Sequence, residues 1–318
     1  MHANWDSRQL ARLGSNILLV AAAAGCRDAG DTVAPAATMS VHSADLAGDW
    51  AQAVDVDPAG LNNLNTAALE GCPAEATDAR TLFFASNRDG QIDIWMAQRQ
   101  NRQATWGSPT KVPAPVSVDG ANDFCPTPLP GGGLLFVSTR AGGCGLGSAD
   151  IYESHVHPGG GWSEPENLGC EVNSGGNEFS PSYVGAGGGL LFFSSDREGG
   201  PGQDRIYMSL REPGGDWSAP VEVPELNAAG YSTARPNVSQ DGRTIVFDSN
   251  RPGGMSGAPD VWVATRASIN DPWSEPVVLG SNVNSASGET RAWLSTDGRR
   301  LYFGSNREGN FNIYVASR

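Results

Sequence analysis

Carboxylates recur at one position of a repeating sequence: Glu70, Asp123, Glu178 and Glu289, with Thr233 in the remaining place. Two of these positions are followed two residues later by an arginine, Arg235 and Arg291. Carboxylates converging on one point suit a cation, a polar ligand or glycoside hydrolysis. Hydrolysis needs a carboxyl pair about 5–5.5 or about 6.5–9.5 Å apart in an open pocket, and Asp123, Glu178 and Glu289 are the candidates. Two carboxylates ~7 Å apart repel by about 2.4 kcal/mol at an effective dielectric of ~20, so a ring of them needs positive charge nearby. Arg235 and Arg291 supply it on one reading, and a bound cation at the axial mouth on another. The plainer expectation is ion pairs that plug a narrow channel.

Little else looks chemical. His155 and His157 form His-x-His, read as solvated surface rather than a metal site. No CxxC, phosphate loop or Gly-x-Ser-x-Gly occurs, so no metal or other cofactor is expected.

The elements that position these residues are set by an internal repeat. Trp50, Trp106, Trp162, Trp217 and Trp273 recur every 55 or 56 residues, and Ser-x-Arg motifs end at Arg88, Arg140, Arg197, Arg251 and Arg307. Each unit holds four short strand-like runs separated by Gly, Pro, Asn and Asp. In one unit these are Ser180–Val184, Leu190–Ser194, Arg205–Ser209 and Trp217–Val223. Asp-Gly turns at Asp241-Gly242 and Asp297-Gly298 are hairpin signals. Four antiparallel strands at this period predict an all-β, five-bladed β-propeller. The last unit stops at Asn312–Arg318 with three strands and no outer strand, whereas Trp50–Val56 precedes any hairpin. The N-terminal Trp50 strand is therefore expected to complete the last blade and close the ring.

Residues present in all five units serve the blade, and variation marks a site. The five tryptophans read as packing between blades. The five arginines read as structural, each pairing with the residue that opens the third strand: Asp93, Asp150, Asp204, Asp260 and Asn312. Cys72 and Cys125 share one repeat position on adjacent inner strands, whereas Cys144 and Cys170 lie in loops on one face. Two disulfides follow, Cys72–Cys125 and Cys144–Cys170, which imply an oxidising compartment.

A formal charge of −14 argues against nucleic acid as a partner. Residues 1–26 read as a lipoprotein-type signal: Arg8 and Arg12, the apolar run Ile17–Ala24, and a lipobox-like Ala23-Ala24-Gly25-Cys26. Acylated Cys26 would anchor the chain to a membrane without a spanning helix. Residues 27–47 read as a flexible tether and 48–318 as the propeller.

Trp-x-x-Pro, Glu-x-x-Pro, a Gly turn, Phe-x-Ser-x-Arg and Asp-Ile-Tyr together resemble the TolB-type, WD-repeat-like propeller repeat of bacterial envelope proteins. The match runs through Leu82–Trp95, Leu134–Tyr152, Leu190–Tyr207, Thr244–Trp262 and Leu301–Tyr314. The resemblance implies interaction or scaffolding in the cell envelope. The expectation is a non-enzymatic, exported propeller at the periplasm or cell surface. It would bind a protein or glycan through its axial mouth and the loops Ala141–Ala149 and Pro252–Pro259. A glycoside hydrolase is the second reading.

Overall fold

The structure is a computed structural model that describes residues 43–318 apart from 59, 146–148, 186–187, 201 and 256. The expected signal, the Cys26 lipidation site and most of the tether lie outside the described residues. Five four-stranded antiparallel sheets form the blades of a propeller. Blade 1 is β2 (Glu70–Glu75), β3 (Thr81–Ser86), β4 (Asp93–Gln98) and β5 (Thr110–Lys111). Blade 2 is β6 (Asp123–Leu129), β7 (Gly133–Ser138), β8 (Asp150–His155) and β9 (Glu166–Asn167). Blade 3 is β10 (Glu178–Val184), β11 (Leu190–Ser195), β12 (Arg205–Leu210) and β13 (Val221–Glu222).

Blade 4 is β14 (Thr233–Val238), β15 (Thr244–Ser249), β16 (Asp260–Thr265) and β17 (Val277–Val278). Blade 5 takes β18 (Glu289–Leu294), β19 (Arg300–Glu308) and β20 (Asn310–Ser317) from the end of the chain. Its outer strand is β1 (Val54–Asp55), which pairs with β20 through Val54–Val315 and Asp55–Tyr314. Backbone bonds from Ala51 to Ser317 and from Val56 to Ile313 extend the seam.

The outer strands are shorter than the sequence suggests. Pro109, Pro165, Pro220 and Pro276 stand just before those of blades 1 to 4, where a residue without an N–H interrupts a ladder; β1 is equally short with no proline before it. Pairing therefore shrinks to two residues, beside isolated bridges at Val156–Trp162 and Arg211–Trp217. Trp50, Trp106 and Trp273 are buried, while Trp162 and Trp217 are half-buried at the blade edges.

The end of the expected tether is also structured. Residues Ser43–Gly48 form helix α1. Ser43 Oγ bonds Thr265 and Ser274, and Leu46 shares a buried cluster with Trp50, Val246 and Val263. Burial of Leu46 holds this segment against blades 4 and 5, so flexibility does not extend to residue 47.

Every inner strand carries a β-bulge at the same place. Its first residue is Cys72, Cys125, Ser180, Arg235 or Arg291, all left-handed with φ between 48° and 54°. None is glycine, so each blade holds a locally unfavourable backbone at the axis, sustained by the surrounding ladder.

Candidate functional site

The five repeated arginines do not pair with the Asp or Asn that opens the third strand. Each folds back over its own turn, with Nε on the serine two residues earlier: Ser86, Ser138, Ser195, Ser249 or Ser305. One Nη then reaches a backbone carbonyl of the connection preceding the blade, that of Leu64, Val116, Val172, Leu226 or Val283. The same nitrogen meets the first residue of the inner strand. The pairs are Arg88–Glu70 at 3.1 Å, Arg140–Asp123 at 2.8 Å, Arg197–Glu178 at 3.1 Å and Arg307–Glu289 at 3.1 Å.

In blade 4 Thr233 stands in for the carboxylate and accepts from Arg251 at 3.0 Å. Each guanidinium also lies over an aromatic ring of its second and third strands, as Arg197 does over Phe193 and Tyr207. The third-strand acids serve the loops instead. Asp93 meets Lys111, Asp150 accepts from Cys144 N and Asn167, Asp204 accepts from Ser232, and Asp260 accepts from Met255 N. The equivalent Asn312 makes backbone pairs within β19–β20.

The four candidate carboxylates are thus fully buried and engaged. Glu178 accepts from Ser174 N, Ser174 Oγ, Ser195 Oγ and Arg197; Glu289 repeats the pattern with Ser285, Ser305 and Arg307. They tie the preceding connection to the blade rather than lining an open mouth. No pair of them stands free to act as acid and nucleophile.

Burial pushes the Glu178 carboxyl above its ordinary 4.5, against the hydrogen bonds of Ser174 and Ser195 and the charge of Arg197. Such a group holds its proton more readily when folded than when unfolded. Its contribution to stability is full below about pH 4.5 and is lost as pH rises through the folded value. Compared with Glu178→Gln, the wild-type protein is expected to lose melting temperature progressively as pH rises above about 4.5. A pH-independent difference between the two would contradict this.

Arg235 and Arg291 do not neutralise the carboxylate ring. Arg235 Nη1 meets Asp248 at 2.5 Å, and the carboxylate holds the guanidinium above its ordinary value. Arg291 is fully buried and crosses the axis. Its Nη2 lies 3.0 Å from Thr127 Oγ1 and 3.3–3.4 Å from the carbonyls of Pro181 and Pro126, and Nη1 lies 3.3 Å from that of Pro236. Three other blades therefore hold one guanidinium, and its Nε has no protein partner. Burial pulls Arg291 down to about 9, with Asp248 opposing and Arg235 adding to the shift, so it remains a cation at neutral pH.

Asp248 is a site residue that the search for repeated motifs passes over. In the other blades its place on the second strand is Ala85, Val137, Ser194 or Gly304, so the signal was a lone charge among small residues.

The disulfides Cys72–Cys125 and Cys144–Cys170 are both present. The first staples inner strands of adjacent blades at the axis; the second pins the β7–β8 loop to the connection that leaves blade 2. Disulfides of this kind persist in oxidising environments. His155 has an acidic neighbour: its Nε2 is 2.9 Å from Glu153 Oε1, since residues two apart on a strand share a face. Among the described residues, no three His, Cys, Asp or Glu side chains are grouped to hold a metal ion.

Two cavities open on the face opposite the carboxylates. One of about 340 Å³ lies where inner strands of blades 1, 2, 4 and 5 end, bordered by Glu75, Asn237, Asp241, Trp293 and Asp297. The other, about 300 Å³, lies between blades 2 and 3.

No protein-family model and no curated protein sequence matches the chain. Solved structures do. The endo-arabinase from Bacteroides thetaiotaomicron superposes with a TM-score of 0.54 at 16% identity, covering 80% of this chain and 95% of that one. The α-L-arabinofuranosidase from Podospora anserina gives 0.53 at 12% identity, covering 84% and 96%. TolB from Acinetobacter baumannii gives 0.47 at 19% identity; it covers 80% of this chain, which spans 56% of TolB's length. At these identities the likeness is one of fold, and propellers of one architecture serve unrelated functions.

Proposed function

We propose that this chain is an exported, non-catalytic propeller that binds a protein partner through the face formed by the second-to-third-strand loops and the connections between blades. The observation that carries the reading is the engagement of Glu70, Asp123, Glu178 and Glu289 with their own arginines. The chemistry a hydrolase would draw from that ring is committed to holding loops in place. Exposed apolar side chains support recognition on the same face. Leu61 and Leu69 lie before blade 1, Tyr231 before blade 4 and Met255 in the β15–β16 loop, with exposures of 78, 38, 40 and 50%. Tyrosine and methionine are enriched where proteins meet. The two disulfides favour export, and lipid anchoring at Cys26 remains part of the proposal.

The test is capture from an envelope extract by the full chain, beside Tyr231→Ser/Met255→Ser and beside Asp241→Asn on the opposite face. A defined protein bound by the wild type and by Asp241→Asn, but lost at least tenfold by the double variant, is the expected result. Equal capture by all three would move the interface elsewhere. Hydrolysis of an envelope glycan by the chain, abolished by Glu178→Gln, would replace the reading with catalysis.

A further inference from the structure

The five junctions between blades are built alike and can be compared position by position. Facing the next blade, the second strand offers Phe83, Leu135, Phe192, Val246 or Tyr302, and its cross-strand partner is Met96, Glu153, Met208, Val263 or Val315. Four partners are apolar and one is a carboxylate. The junctions with apolar partners are filled. Phe192 packs edge-on against Trp273, Tyr302 against Trp106, Phe83 and Met96 cluster with Trp162, and Leu46 of α1 joins Val246, Val263 and Trp50. Between blades 2 and 3, Leu135, smaller than the rings at three of the other junctions, and the charged Glu153 line a groove of about 300 Å³.

Its walls have two characters. Leu129, Pro130 and Leu135 are apolar, and Tyr183 meets Trp217 edge-on at 6.3 Å between ring centroids. The polar side holds an acceptor and donors together. Glu153 Oε1 is 2.9 Å from His155 Nε2, while Oε2 is 3.9 Å from Arg211 Nη1, too far for a direct hydrogen bond. The Glu153 side chain is 12% exposed, and those of Arg211 and His155 are 38 and 60% exposed. A charged group in a position that packs hydrocarbon everywhere else in the ring weakens the junction. No blade-level role requires it, since four junctions close without it.

We infer that the groove between blades 2 and 3 binds a neutral sugar ring. A hydroxyl both donates and accepts, so one of a vicinal pair can donate to Glu153 while its neighbour accepts from Arg211. The 3.9 Å gap is the place for such a pair. The C–H face of the ring then lies against Tyr183 and the part of Trp217 left uncovered by Arg211, which sits 5.3 Å over the indole. The ligand is neutral because acid and base already balance across the groove. An anionic ring would set its charge against Glu153. This site lies on the face opposite the proposed protein-binding loops and stands independently of them.

The test uses the full chain and a panel of neutral trisaccharides of gluco, manno, galacto and xylo configuration, titrated by calorimetry with tryptophan fluorescence as a second readout. At least one is expected to bind at one site per chain. Glu153→Met, which installs the residue type of the filled junctions, is expected to weaken binding at least tenfold while leaving the melting temperature unchanged or higher. Arg211→Met should weaken it similarly, and Asp241→Asn at the other cavity should not. The inference is overturned if no neutral trisaccharide binds, if Glu153→Met binds like the wild type, if Asp241→Asn loses binding, or if only uronate-containing sugars bind.

Discussion

Replacing Arg197 with methionine is expected to lower the free energy of unfolding by about 3–5 kcal/mol, because it strands a buried carboxylate rather than merely removing a contact. Glu178 is fully buried, and the Arg197 side chain is only 15% exposed, so solvent does little to screen the loss. The Val172 carbonyl loses a donor in the same change. Blade 4 supplies an internal control, since Arg251 makes the same serine, carbonyl and ring contacts but meets Thr233 instead of a carboxylate. Burial without a paired acid lowers Arg251 from its ordinary value. Arg251→Met should therefore cost clearly less than Arg197→Met, and Glu178→Gln should recover part of the loss in the Arg197→Met background. Urea denaturation of the four proteins at pH 7 measures all of this. Equal costs at Arg197 and Arg251 would show that the carbonyl and ring contacts, not the ion pair, carry the motif.

Removing Cys72–Cys125 as the double alanine variant is expected to cost about 4 kcal/mol, the loop-closure value for a sequence separation of 53. Cys144–Cys170, with a separation of 26, should cost about 3.5 kcal/mol on the same basis. Together these approach the whole stability of many domains, about 5–15 kcal/mol. The reduced chain should accordingly melt far below the oxidised one. A scan with and without reductant checks this, and melting temperatures within a few degrees of each other would contradict it.

Much of the architecture was legible because five copies averaged out local ambiguity. Period, strand count and the Cys72–Cys125 pair follow from residues at equivalent places in successive units, ring closure from the spare strand at Trp50, and Cys144–Cys170 from two loops that open on one face. The partner of each repeated arginine was not legible. Arg197 has Glu178 behind it and Asp204 ahead of it, and spacing alone does not say over which strand a long side chain folds. The aromatic rings of the second and third strands and the carbonyl of the preceding connection decide it, and those come together only in the blade.

Asp248 and Glu153 were visible in principle as lone charges at otherwise small or apolar positions. Finding them requires aligning second and third strands across turns of unequal length and across the bulge in every inner strand. The carboxylates of the inner strands drew attention because they recur, and recurrence proved to mark scaffold.

The seam between β1 and β20 ties the order of synthesis to the order of folding. Residues 51–56 leave the ribosome long before their backbone partners, residues 313–317. Blades 1 to 4 draw all their strands from contiguous sequence and can form as they emerge, whereas blade 5 waits for a contact across some 260 residues. Such distant pairing is slow, and until it happens an unpaired edge remains at each end of an open arc. A circular permutant that joins residue 318 to residue 50 and opens the chain between two blades would make every blade contiguous, converting the slowest contact of the ring into a local one.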